Sequence, residues 1–416
     1  MLISRLKKKF SSQFIRGMGW LGVAQIFVRV FRLGTTVVLA RVFTPYDYGL
    51  VAIIYTIFGF AQVFTESNGI SANVITTDEE NLEQISNTTY WISWIVCIFI
   101  AILQCALALP IAWFYDDRHL VLPICALGLM YLTFPLYKIT MSLIQRENRM
   151  KIVALGRATQ AFVLNITIIC LALLGLGVWS VVIGMILSAS ALIIVYYKNH
   201  SWRPPKKFKI DKWREVTSLG GNMLGIDLMD KIRLNFDYLI VGRFLGVDAL
   251  GLYFFAFNAG LGISKQIINA MTMSLLPYLS SANTDLSQIK SRFYGSLKSM
   301  ILIFVPLVLL QSGLAPFYVP IIFGAKWTTA IPILIIICLS AIPLMIYTAC
   351  YQLLVATRKM RAALVWNLVF TLVFATSILV VVQYGILWVA ITVLTCHILN
   401  VILGFCILKY RQNWLV

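Results

Sequence analysis

Charged side chains interrupt several long apolar stretches of this chain, and they are the residues best suited to bind a polar ligand. A charge at the centre of a bilayer costs roughly 2.5–3.5 kcal/mol on insertion scales, so such residues usually face a cavity or a partner. The basic ones outnumber the acidic ones, which favours an anionic ligand. They are the basic Arg29, Arg32, Lys138, Arg157, Lys231, Arg233 and Lys265 and the acidic Glu66, Asp227, Asp230 and Asp237.

Gln25, Arg29 and Arg32 occur in the first apolar stretch. Their spacings of four and three residues place them on one face of a helix. That stretch contains no acidic residue, so the two arginines need a partner elsewhere, water or an anionic ligand.

The seventh apolar stretch differs, because it carries its own acids. Asp227 and Lys231 are four residues apart, and Arg233 follows Asp230 by three and precedes Asp237 by four. Pairs at these spacings can neutralise each other along one helix.

Two interpretations of these residues remain open, and they are compatible. In the first, Arg29 and Arg32 form a cationic patch for an anionic ligand. In the second, either arginine forms a salt bridge with Asp227, Asp230 or Glu66, and such a bridge would break when a cavity opens.

We therefore predict two groups of site residues and no metal or cofactor. Arg157 lies near the end of its stretch and is expected to extend to the head groups. The predicted substrate-binding residues are Arg29, Arg32, Lys138, Lys231 and Lys265. The predicted ion-coupling or gating residues are Glu66, Asp227, Asp230, Arg233 and Asp237.

The elements that must position these residues are transmembrane helices. The chain is 60% hydrophobic and only 12% charged, whereas soluble domains carry about 25% charged residues. Its apolar runs are long and do not alternate, which predicts an all-α polytopic membrane protein. Twelve spans are predicted, at roughly 17–43, 47–67, 89–114, 119–144, 152–174, 177–197, 217–243, 248–277, 296–318, 329–355, 362–384 and 386–408.

Two sequence echoes indicate an internal duplication. Residues 39–51 read LARVFTPYDYGLV, and residues 241–253 read VGRFLGVDALGLY. The sequence Arg-Met-Lys at 149–151 likewise corresponds to Lys-Met-Arg at 359–361. Duplication in a polytopic chain points to a transporter with its substrate path between the repeats. We predict two parallel six-helix lobes around a central cavity, at 1–197 and 217–416, joined by a basic cytoplasmic linker at 198–216.

The net charge of +18 reflects membrane topology more than a nucleic-acid partner. Most basic residues fall on one side of the predicted spans, at 5–16, 146–151, 198–214, 290–298, 358–361 and 409–411. Since basic loops stay in the cytoplasm, both termini of this multi-pass membrane protein are predicted to be cytoplasmic. One acidic segment, 69–88, interrupts this side, and Thr77 with Glu80 predicts a capping box there.

Catalytic signatures are not found. The eight cysteines fall inside predicted spans without a CxxC pair, and the three histidines have no metal-ligand spacing. No P-loop occurs, and the predicted outer loops are short. We therefore do not expect an enzyme, and a membrane polymerase or ligase of sugar chains is the weakest alternative.

Several stretches resemble the polysaccharide flippases of the MOP exporter superfamily, in particular the exporters of lipopolysaccharide, colanic acid and teichuronic acid. The resembling residues are 39–52, 88–94, 242–258, 275–298 and 323–338. Together they extend over essentially the whole chain and are typical of the family, not of one substrate.

The resemblance implies a protein of the bacterial inner membrane that exports undecaprenyl-diphosphate-linked oligosaccharide repeat units to the outer face of that membrane by alternating access, for surface polysaccharide biosynthesis. It implies that basic residues of the first helix, here Arg29 and Arg32, hold the diphosphate or acidic sugars. The implied partners are the lipid-linked substrate, membrane lipids and other polysaccharide assembly proteins. Several relatives have fourteen helices and twelve are predicted here, so a prenyl-tail groove from the last two helices is not expected.

Two alternatives share this fold. A multidrug or metabolite cation antiporter would have a smaller cavity in which acids dominate, and a lipid II flippase would differ only in its cargo. The excess of basic over acidic residues within the spans argues against the antiporter.

Overall fold

A computed structural model of the 416-residue chain describes residues 2–65, 73–281 and 286–412. Every long regular element in these ranges is an α-helix, and none of the described residues forms a strand. The contacts divide the chain into two compact units, Met1–Asn235 and Phe236–Val416. The lobe and linker boundaries expected from the sequence stay predictions.

The first unit contains six complete helices and most of a seventh. They are α1 (Leu2–Val42), α2 (Pro45–Thr65), α3 (Glu79–Tyr115), α4 (Val121–Arg146), α5 (Met150–Leu173), α6 (Val178–Asn199) and α7 (Trp213–Leu245). The principal packing pairs are α1 with α5, α5 with α6, α6 with α4, and α4 with α3. The shorter α2 contacts α3, α4 and α6.

The second unit begins within α7. It contains α8 (Val247–Ser280), α9 (Leu286–Tyr318), α10 (Ile331–Leu339), α11 (Ala341–Ala356), α12 (Met360–Val381) and α13 (Ile386–Gln412), with short helical turns at Val319–Phe323, Ala325–Ala330 and Val382–Tyr384. Helix α8 packs against α10 and α11, and α13 packs against α11 and α12.

Ten helical segments of the described chain are long and apolar enough to cross a membrane. An eleventh arises if Val247–Gly262 and Ser264–Ser280, bent by 40°, count as one span. These segments confirm the prediction of an all-α polytopic membrane protein. The predicted seventh span, 217–243, lies in α7 and includes side chains outside the described residues, so it stays a prediction. The count of twelve spans stays a prediction.

Equivalent turns recur at the offsets seen in the sequence. At the end of α4, Asn148 has a φ of 55° and the Arg149 amide donates to Ile144 O. At the end of α11, Arg358 has a φ of 58° and the Lys359 amide donates to Leu354 O. Non-glycine residues rarely adopt positive φ, so this repetition agrees with the predicted duplication.

The predicted capping box at α3 is wrong. The N-cap is Asp78, whose side chain makes no capping bond, and the Thr77 hydroxyl instead donates to Asn73 O at 2.6 Å. Asn73 in turn donates its side-chain amide to Val216 O at 3.0 Å. Because α3 begins at Glu79 with Asp78 as its N-cap, Thr77 lies one position before the cap and Glu80 at the second helical position, where a capping box requires the third.

Candidate functional site

Helix α1 presents three distinct faces. One packs on α5, where the Thr35 hydroxyl bonds the Asn165 side-chain oxygen at 2.6 Å and Phe31 meets Phe162 edge-on. A second face is exposed and apolar, with Val23, Ile26, Val30 and Leu33. The third contains Gln25, Arg29 and Arg32, and all three side chains are exposed. Since charged residues avoid lipid, this third face is suited to a hydrated path.

Three of the predicted basic residues lie beside helix α2, each at a different position along it: Arg32, Lys231 and Lys138. The charge of Arg32 acts on the hydroxyl group of Tyr55 in α2. One turn further, a Cβ atom added at Gly59 would lie 3.7 Å from Lys231 Nζ. All three cations belong to the first unit, although α1, α4 and α7 supply one each.

Lys138 has a defined structural partner. Its half-buried ammonium group donates a 2.7 Å hydrogen bond to Thr65 O, the carbonyl of the last residue of α2. A cation at a helix C-terminus satisfies an otherwise unpaired carbonyl and complements the helix dipole. Sequence reasoning placed Lys138 in the cavity but could not find this contact, because its partner is 73 positions away.

Asp237 and Lys265 lie in the second unit. Asp237 is buried, with only 4% of its surface exposed, and accepts a 2.7 Å hydrogen bond from the Tyr253 hydroxyl and a 3.0 Å bond from the Tyr238 amide. The Lys265 ammonium acts electrostatically on the same carboxylate. A buried charge persists only with such partners, so Tyr253 belongs to the candidate site although no sequence pattern singled it out.

The remaining predicted residues are only partly described. Arg233 is half-buried on α7. Glu66 and the side chains of Asp227 and Asp230 lie outside the described residues, so the predicted pairs that involve them stay predictions.

At one end of the first unit, basic residues from the α4–α5 turn and the segment after α6 lie around the carboxylate of Glu147. The Glu147 carboxylate lies 2.9 Å from Arg149 Nη1 and 3.2 Å from His200 Nε2. The hydrogen bond from Arg149 is the main cause that lowers the pKa of Glu147 below its ordinary value. The His200 ring also accepts a 2.9 Å hydrogen bond from the Trp202 amide. Its contact with Glu147 therefore ties the segment after α6 to the α4–α5 turn.

Metal ligands do not cluster in the described part of the chain, where no group of three His, Cys, Asp or Glu side chains could hold an ion. Within the same ranges the eight cysteines are unbonded thiols.

The fold is shared with solved transporters of the MOP superfamily. The lipid II flippase MurJ in an inward closed conformation gives a TM-score of 0.77 at 17% identity, over 95% of this chain and 90% of that one. The MATE transporter VcmN of Vibrio cholerae gives 0.63 at 15% identity, over 98% and 99%. The shared fold and the ten apolar helical segments of the described chain define a multi-pass membrane protein with the fold of these transporters.

The particular family follows from the sequence. The chain belongs to the family of polysaccharide biosynthesis proteins, whose model matches residues 38–332. It is 24% identical to the teichuronic acid biosynthesis protein TuaB of Bacillus subtilis, over 96% of this chain and 83% of that protein. It is 22% identical to the lipopolysaccharide biosynthesis protein WzxC of Escherichia coli, over 96% and 82%. The resemblance noted in the sequence is confirmed.

Proposed function

We propose that this protein is a flippase that moves undecaprenyl-diphosphate-linked oligosaccharide repeat units across the bacterial inner membrane by alternating access. Related proteins with names in teichuronic acid and lipopolysaccharide biosynthesis, and the succinoglycan biosynthesis transport protein ExoT of Rhizobium meliloti, 23% identical over 78% of this chain, support it. The observation that carries the proposal is the exposed arginine face of α1, a helix that otherwise reads as a membrane span.

The chemistry of the cargo explains that face. A diphosphate linked to a sugar chain is anionic and must cross about 30 Å of hydrocarbon, where an isolated charge is strongly disfavoured. Guanidinium groups bind phosphate oxygens through two parallel hydrogen bonds. Arg29 and Arg32, with Lys231 beside Gly59, would hold the diphosphate while the prenyl chain stays in the bilayer.

We assign the other predicted residues to supporting roles in the same cycle. Lys138 positions the end of α2, and Lys265 acts in the second unit beside Asp237. An ion gradient would drive transport, with a proton or cation carried by acidic residues and gating by the charges near them. The residues in question are Glu66, Asp227, Asp230, Arg233 and Asp237.

The proposed orientation places both termini and the basic loops in the cytoplasm. The Glu147–His200 contact, which joins two of these loops at one end of the first unit, supports a common side for them. The proposed partners are the lipid-linked substrate, membrane lipids and the other polysaccharide assembly proteins.

The test removes the arginine face and measures export. Arg29→Ala with Arg32→Ala should abolish appearance of the surface polymer in a host that depends on this gene. Losing two charge-assisted contacts of about 1.5 kcal/mol each weakens binding by more than about a hundredfold. The double variant should reach normal abundance in the membrane, because both side chains are exposed and contribute nothing to the core.

Two controls sharpen this test. Arg157→Ala removes an equally exposed arginine of α5 and should leave export intact. Arg29→Lys with Arg32→Lys keeps the charge without the bidentate geometry and should give intermediate export. Normal export by the double alanine variant at normal abundance would contradict the proposal and favour a cation antiporter.

A further inference from the structure

Helix α3 shows where the membrane surface lies on the first unit. The helix has 37 residues, about 55 Å of length, and so extends beyond a bilayer. Its exposed apolar stripe comprises Ile95, Ile98, Phe99 and Ile102, which meet lipid. Trp91 lies on the same face, four residues before Ile95, and polar sequence precedes it. Tryptophan at the end of an apolar stripe is typical of the head-group layer.

The segment after α6 is bonded to α3 at this depth. The Trp91 indole N–H donates to Lys207 O at 3.0 Å, and the Phe208 ring lies 5.2 Å from the Trp91 ring, edge-on. A second contact lies earlier in the segment, where the ring centroids of Tyr90 and Trp202 are 5.9 Å apart. These contacts fix residues 202–208 beside the lipid-facing surface of α3 instead of leaving them free in water.

The lysine side chains of this segment are exposed, whereas Trp202 packs against α3. Lys206, Lys207 and Lys209 are exposed, and Phe208 remains 58% exposed despite its contact with Trp91. The nearest acid along the segment is Asp211. Three cations and one exposed aromatic ring are therefore presented together at head-group depth.

We propose that residues 206–209 form a binding surface for the head groups of anionic phospholipids, with Phe208 inserted between the head groups. Lysine near an anionic bilayer surface gains about 1 kcal/mol, which corresponds to about a fivefold change in binding per residue. An exposed aromatic ring at this depth favours a lipid over a soluble polyanion, because the interface accommodates both groups at once. This surface is separate from the arginine face of α1 and does not depend on the proposed transport function.

The experiment measures lipid retained by the full-length protein. Purified protein is incubated with phosphatidylglycerol and phosphatidylethanolamine at equal mole fraction, and bound lipid is counted by native mass spectrometry. Replacing Lys206, Lys207 and Lys209 with Gln should reduce bound phosphatidylglycerol more than about tenfold and leave phosphatidylethanolamine unchanged. The loss should be smaller at high salt, since screening already weakens the parent.

Two variants separate charge from the fold. The same three lysines changed to Arg should retain phosphatidylglycerol at the parent level. Phe208→Ser should weaken binding of both lipids without changing the preference for the anionic one. Equal phosphatidylglycerol binding by the Gln and Arg triple variants would overturn the proposal, and so would a parent protein that binds the two lipids equally.

Discussion

Close packing between α5 and α6 yields a prediction whose size follows from the structure. A Cβ atom added at Gly156 would lie 2.7 Å from Tyr196 Cζ and still closer to its hydroxyl oxygen. Tyr196 is 1% exposed and stacks against Tyr137 at 6.1 Å, so its ring has little room to move. Gly156→Ala should therefore lower the free energy of unfolding by about 1–3 kcal/mol, the usual cost of overpacking.

A matched glycine removes the general effect of the substitution. A Cβ atom added at Gly34 of α1 would have no atom within 4 Å. Gly34→Ala should therefore raise the free energy of unfolding by up to about 1 kcal/mol, because alanine has the higher helix propensity. The difference between these two alanine variants isolates the collision with Tyr196.

The detergent-purified protein is unfolded by heat or denaturant, and the fraction of protein that remains monodisperse is measured. Tyr196→Phe in the Gly156→Ala background removes the nearest atom and should recover part of the loss, with a coupling free energy of about 0.5–3 kcal/mol in a double-mutant cycle. If Gly156→Ala unfolds at or above the parent temperature, the packing of α5 on α6 described above is refuted.

Three further predictions follow from single contacts. Tyr253→Phe should destabilise the protein by about 1–3 kcal/mol in the same unfolding assay, because it leaves the buried Asp237 carboxylate short of a donor; no loss would argue against that bond. The Cys105 thiol lies 3.9 Å from Cys125 O and also contacts the Cys125 thiol, so copper-phenanthroline should join these two thiols, and peptide mapping that finds both free would contradict the packing of α3 on α4. Because the pKa of Glu147 is lowered, its stabilisation is present at neutral pH and lost as the pH falls through that pKa. Glu147→Gln should thus lower the free energy of unfolding by up to about 1 kcal/mol at neutral pH and leave it unchanged in acid. A destabilisation that persists in acid would show that the ionised Glu147 carboxylate is not its source.

Membrane helices were readable from the sequence because lipid imposes a simple requirement. Apolar runs of about 20 residues must satisfy their own backbone hydrogen bonds, and only helices do so within one segment. The arginine face of α1 was equally readable, since three residues at spacings of four and three share a face whatever the helix packs against. The structure adds that the side chains on this face are exposed.

Tertiary contacts decided what the sequence could not show. Lys138 bonds Thr65 O across 73 positions, and Asp237 takes its hydrogen bond from Tyr253 on the next helix. Local spacing suggested only partners within the same helix for Asp237. The capping box was wrong because α3 begins one residue later than the Thr77–Glu80 spacing requires, with Asp78 as its N-cap.

The most direct test of the proposed flippase function examines the lipid intermediates of a host strain that lacks this gene. Lipids are extracted and searched by mass spectrometry for undecaprenyl-diphosphate oligosaccharides, and their membrane face is determined with an impermeant sugar-cleaving enzyme. Complete repeat units that accumulate on the cytoplasmic face, with loss of the surface polymer, are the expected result. Unchanged intermediates together with an intact surface polymer would contradict the function proposed here.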